Sequence, residues 1–197
     1  MKRVKHHIDT AHALGAPLLR HDVCRALPTD RPYTYKDAIN EMVPRIREIT
    51  EYARGYGIRT CTENHGHVFQ APERVRELIL AVANDNYGWL CDIGNFLCVD
   101  ADPIKGATIA APHAFHVHAK DFLYRSGEFE RPKGFFGTLG GNHLRGTVVG
   151  HGDVPVRECI SIIKDSGYDG YVSIEFEGLE DSVTAISYGY DYLKRLI

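Results

Sequence analysis

The chain has 197 residues, 44% of them hydrophobic and 25% charged, with 23 Lys and Arg against 26 Asp and Glu. That composition excludes a disordered, collagenous or coiled-coil protein, and a net charge of −3 argues against a nucleic-acid binder. No apolar run approaches the roughly 20 residues of a membrane span, and no secretory leader opens the sequence. The five cysteines are scattered without a CxxC pair. A cytoplasmic protein with no membrane partner is therefore expected.

In chain order, short apolar runs alternate with segments of helical period. An opening helix carries His6, His7 and His12, at a spacing that suits a solvated face better than a metal site. Ala16 to Val23 reads as a strand. Thr34 to Tyr56 then places Ile39, Met42, Val43, Ile46, Ile49 and Ala53 at helical spacing, with Thr34 as N-cap, Asp37 at the third helical position and Gly57 as the stop. Pro44 predicts a kink inside that helix. Further strands are expected over 58–63, 90–93, 114–120 and 170–175, and helices over 71–83, 103–110, 154–165 and 182–196. Residues 124–153, rich in Gly and aromatics, read as one long loop. This strict β-then-α alternation, with no linker composition anywhere, predicts a single α/β domain over residues 1–197 with a parallel sheet covered by helices.

Glu63, Asp92, His118 and Glu175 stand at the C-terminal ends of four consecutive predicted strands. In parallel α/β folds that edge is where ligands bind. The first two intervals are close to one barrel unit of about 31 residues, and the third is one unit plus the long loop. Three carboxylates and an imidazole suit one divalent ion, Mn²⁺, Mg²⁺, Co²⁺ or Zn²⁺. Strand alternation points His116, His118 and Lys120 to one side, as it does Cys61, Glu63 and His65. Lys120 is then nearer the mouth, and His116 lies deeper as a supporting residue. His65, Asn95 and Lys120 are candidates for hydrogen bonding a substrate. Arg145 and His151 on the long loop are candidates for a lid over it.

The ordered strings Thr62-Glu63-Asn64-His65-Gly66, Cys91-Asp92-Ile93-Gly94-Asn95-Phe96, His116-Val117-His118-Ala119-Lys120-Asp121, Gly150-His151-Gly152-Asp153-Val154 and Ser173-Ile174-Glu175-Phe176-Glu177-Gly178 resemble the sugar phosphate isomerase/epimerase group of xylose isomerase-like TIM barrels. The resemblance runs from about His7 to the C-terminus. It implies a metal held by Glu63, Asp92, His118 and Glu175 at the tops of strands five to eight. It also implies Glu63 and Glu175 as the pair that removes and returns a proton beside a carbonyl, through a metal-stabilised enediolate, on a small sugar or polyol derivative. A β-leaving hydroxyl would turn the same site into an inosose- or dehydroshikimate-type dehydratase. Asn95 and Tyr124 stand where ketose 3-epimerases of this group carry His and Arg, a departure from that branch.

On the resemblance, the strand at Leu18 to Val23 corresponds to strand four. The expected architecture is thus an incomplete (β/α) barrel of about five units, lacking about three N-terminal ones. Its open edge leaves three expectations: a truncated part of a longer protein, a homo-oligomer paired through the open edges, or an inactive fragment that only binds metal or a partner.

Overall fold

The computed structural model describes all 197 residues. Five strands form one parallel sheet in the order β1 (Leu18–Arg20), β2 (Arg59–Glu63), β3 (Tyr87–Asp92), β4 (Ala114–Ala119) and β8 (Val172–Ile174). The helices are α1 (Lys2–Ala13), α2 (Tyr35–Arg54), α3 (Pro72–Val82), α4 (Pro103–Ala110), α5 (Val156–Asp165) and α6 (Ser182–Leu193). The arrangement is the five-stranded arc of an incomplete barrel, with β1 and β8 each paired on one side.

Strand alternation divides the sheet into two faces. Tyr87, Trp89 and Cys91 of β3, and Val117 and Ala119 of β4, join the large cluster packed against the helices. Trp89 is fully buried, a burial worth on the order of 3 kcal/mol. Arg20, Cys61, Leu90, His116 and His118 line a concavity of about 570 Å³ on the opposite, inner face.

Thr34 caps α2 through a reciprocal box with Asp37, as the sequence predicts. The helix runs unbroken through Pro44 and ends at Arg54, so the positive φ of Gly57 belongs to the turn that follows. The edge strands are shorter than the sequence suggests, whereas β3 starts earlier, at Tyr87. The long loop expected over 124–153 is instead built on an antiparallel sheet of β5 (Asp121–Arg125), β6 (Phe136–Gly137) and β7 (His143–Thr147), ordered β5-β7-β6. Its glycines and aromatics had hidden the alternation. Phe122 and Leu144 are buried within it, and Phe122 packs edge-on against Phe136.

No helix is long and apolar enough to cross a membrane.

Candidate metal centre

Parallel register builds the centre. Asp92 pairs with His118 across β3 and β4, and His118 pairs with Ser173 across β4 and β8, so Glu175 follows just past the end of β8. Glu63 ends β2 on the other side. Glu63, Asp92, His118 and Glu175 each offer a ligand atom, and these atoms all lie within 4.8 Å of one another. His118 Nδ1 is 3.1 Å from Glu175 Oε2, 3.6 Å from Glu63 Oε1 and 3.9 Å from Asp92 Oδ2.

Two of the carboxylates are buried and rigidly seated. Asp92 Oδ1 accepts from the backbone N–H groups of Gly94 and Asn95. Gly94 permits that tight turn, because a Cβ there would meet the Lys120 carbonyl oxygen at 2.7 Å. Asn64, fully buried, donates to the Asp92 carbonyl oxygen while its own Oδ1 accepts from Asp92 N and from Trp89 Nε1. Asn95 Nδ2 donates to Glu63 Oε1 at 3.1 Å. Arg20 Nε stands 2.9 Å from Glu63 Oε2, an ion-pair distance without hydrogen-bond alignment.

Asp92 Oδ2 is buried and accepts no hydrogen bond, facing the imidazole of His118 and the ammonium of Lys120. Burial raises the Asp92 carboxyl to about 7, against the opposing pull of Lys120. Desolvation alone would lower His118, but its hydrogen bonds to Glu175 and Glu63, with the Asp92 charge, carry it up to about 9. The His118 hydrogen bond holds Glu175 well below the usual carboxylate range. Buried negative charge that relies on a protonated imidazole and an ammonium is what a divalent cation would neutralise. An unsatisfied carboxylate oxygen at the convergence of three carboxylates and one imidazole fits such an ion.

Of the other residues singled out in the sequence, Asn95, Lys120 and His65 line a cleft of about 410 Å³ beside the cluster. Arg25, Gln70, Glu177 and Phe136 share its walls. His116 shares the inner face with His118, meets Ser173 Oγ at 2.9 Å and packs edge-on against the His118 ring. Arg145 and His151 are not among the residues lining the cleft. Arg145 pairs with Glu180 at 3.5 Å and lies over Phe135, while exposed His151 packs near Tyr188 on α6. Arg20, Asn64 and Glu177 carry roles here that their sequence context does not announce. Alternation from Glu175 was the available signal for Glu177, and adjacency to Glu63 was the signal for Asn64.

The family profile described as xylose isomerase-like TIM barrel matches residues 1–196. The chain belongs to that family. Family relatives include an inosose dehydratase of Lacticaseibacillus casei, 24% identical over 181 residues, covering 87% of this chain and 61% of that protein. An inosose isomerase of Halalkalibacterium halodurans is 26% identical over 174 residues, covering 85% of this chain and 56% of that protein. The chain thus spans about three fifths of the length of these relatives. Among solved folds of the family, a xylose isomerase-like TIM barrel protein from Mycobacterium smegmatis in complex with magnesium aligns with a TM-score of 0.74 and 20% identity, over 98% of this chain and 65% of that one.

Proposed function

We propose that this chain carries the metal-binding half of an enzyme that moves a proton beside the carbonyl of a small sugar or cyclic polyol ketone. The observation that carries this reading is the convergence of Glu63, Asp92, His118 and Glu175 within 4.8 Å at the C-terminal ends of neighbouring parallel strands. These four would hold a divalent ion, which supplies Lewis acidity to a substrate carbonyl and so acidifies the adjacent C–H.

The chain's own residues do the rest. Glu175, about one third exposed at the sheet edge, would take a proton from carbon, and Glu63 on the other side of the cluster would return one. Asn95 and Lys120 present an amide and an ammonium at the boundary between cluster and cleft, where substrate hydroxyls would be hydrogen bonded. His65 adds a polar group to the cleft wall, and Phe136 gives it an apolar side. Arg145 and His151 remain candidates for contacts made only with substrate bound.

A second reading is supported by the inosose dehydratase among the relatives. After the same proton abstraction, loss of a β-hydroxyl would leave an enone and water. One experiment tests both. Protein loaded with Mn²⁺ is incubated with an inosose in D₂O. Deuterium entering at the carbon beside the carbonyl without loss of water marks isomerisation or epimerisation, and ultraviolet absorbance of an enone marks dehydration. Neither signal, with Mn²⁺ bound, rejects the proton-transfer reading for that ketone.

A further inference from the structure

Lys120 is the most tightly enclosed cation of the molecule's functional edge, with its side chain 4% exposed. Its ammonium meets four oxygens from three parts of the fold. It lies 2.9 Å from Glu175 Oε2 and 3.5 Å from Asp92 Oδ2, two carboxylate oxygens that face the cluster. On its far side it donates to Asn95 Oδ1 at 3.2 Å and lies 3.4 Å from Glu177 Oε1, both at the cleft. The ring of Phe122 stands 6.0 Å away. The main chains of Gly94 and Lys120 approach closely, since a Cβ at position 94 would meet the Lys120 carbonyl oxygen at 2.7 Å, and from that position the ammonium reaches both sets of partners.

Charge explains why such an arrangement is needed. Glu63, Asp92 and Glu175 bring three carboxylates together, two of them buried. Without cationic partners, repulsion and desolvation would force these carboxylates to take up protons or move apart. Arg20 faces Glu63, and Asp92 and Glu175 are shared between the His118 imidazole and the Lys120 ammonium, the only one of the two that a metal does not also need as a ligand. An incoming dication needs those same oxygens.

Resting on the metal-centre reading above, we propose that Lys120 is a built-in counter-ion that holds the metal-free cluster together and hands Asp92 and Glu175 to a divalent ion by falling back on Glu177 and Asn95. The lysine thereby sets metal affinity below what the carboxylates alone would give. In return, the empty cluster keeps its geometry.

The test measures Mn²⁺ binding by calorimetry, and thermal unfolding with and without Mn²⁺, for wild type, Lys120→Met and Asp92→Asn. Lys120→Met is expected to bind Mn²⁺ at least about tenfold tighter, because a positive charge beside the ion is gone. Metal-free, it is expected to melt about 5 °C or more below wild type, and Mn²⁺ is expected to raise its melting temperature further than that of wild type. If Lys120→Met does not fold, Lys120→Gln carries the same expectations. Equal or weaker binding by the lysine variant overturns the counter-ion role, while a wild type that binds and an Asp92→Asn that does not leaves the metal centre standing. Tight binding by the lysine variant where wild type binds poorly supports the role outright. Absence of binding in both wild type and the lysine variant removes the metal centre and the counter-ion together.

Discussion

The central strands and the edge strands of the sheet contribute to the same site by different physics. Strand β3 is buried along its whole length and β2 over all but its first residue, so Asp92 and Glu63 are set by backbone N–H groups and by the enclosed amides of Asn64 and Asn95. At the edges, β1 and β8 are three-residue, partly exposed strands. Arg20 ends the first and Glu175 follows the second, their side chains about one third exposed and held by charge more than by packing. One half of the centre is thus a fixed template, and the other is free to adjust. The proposed role, taking an ion and then a substrate, would draw on both.

The largest expected contrast lies in metal binding. Asp92→Asn should abolish Mn²⁺ binding at millimolar metal, whereas Glu175→Gln should weaken it about tenfold, since an edge ligand is more readily replaced by water. Comparable losses in calorimetry would dissolve the distinction between template and adjustable edge. Next in size is stability. Asn64→Ala leaves Trp89 Nε1 and the main chain of Asp92 without their partner and should cost about 3 kcal/mol in urea unfolding.

Asp121 offers a related test just beyond β4, because its carboxylate accepts from the N–H groups of Phe122, Gly150, Gly152 and Val154. Asp121→Ala should cost about 2 kcal/mol and speed amide exchange at Gly150, Gly152 and Val154. Unchanged exchange there would remove this anchor from the account.

The pH dependence follows from the His118 value of about 9. Below that pH the imidazole carries a proton which a metal must displace, so Mn²⁺ affinity should rise about tenfold per pH unit from 7 and level off near 9. In the metal-free protein the sign is reversed. A raised imidazole stabilises the fold fully below its unfolded value near 6.5, and that contribution is lost as pH rises through about 9. A flat affinity profile would contradict the pairing of His118 with the carboxylates. The smallest effect belongs to the edge: Ser173→Ala removes only the contact with His116 and should cost about 1 kcal/mol or less. A loss matching that of Asn64→Ala would mean that β8 is as firmly built as β3.

The antiparallel sheet was illegible in the sequence for a definite reason. Strand β6 has only two residues and pairs across turns rich in glycine, so no period-two run announces it. Helix α2 was legible because its cap, its period and its length all agree locally, and a single proline could not outweigh them.

What the sequence by itself determined was the order of β and α units, the parallel sheet and the four chemistry-bearing residues at successive strand ends. Each of these follows from local periodicity, or from motifs that lie next to one another along the chain. Only the tertiary structure decided that Lys120 lies between two carboxylates of the cluster and two oxygens of the cleft, that Asn64 supports Asp92, and that Arg20 meets Glu63. Asp92 and Asn95 lie one βα unit before Lys120, and Glu175 and Glu177 come from the chain after β8, all brought together by register across strands. A linear sequence does not display such contacts, because their partners are chosen by the path of the chain in space.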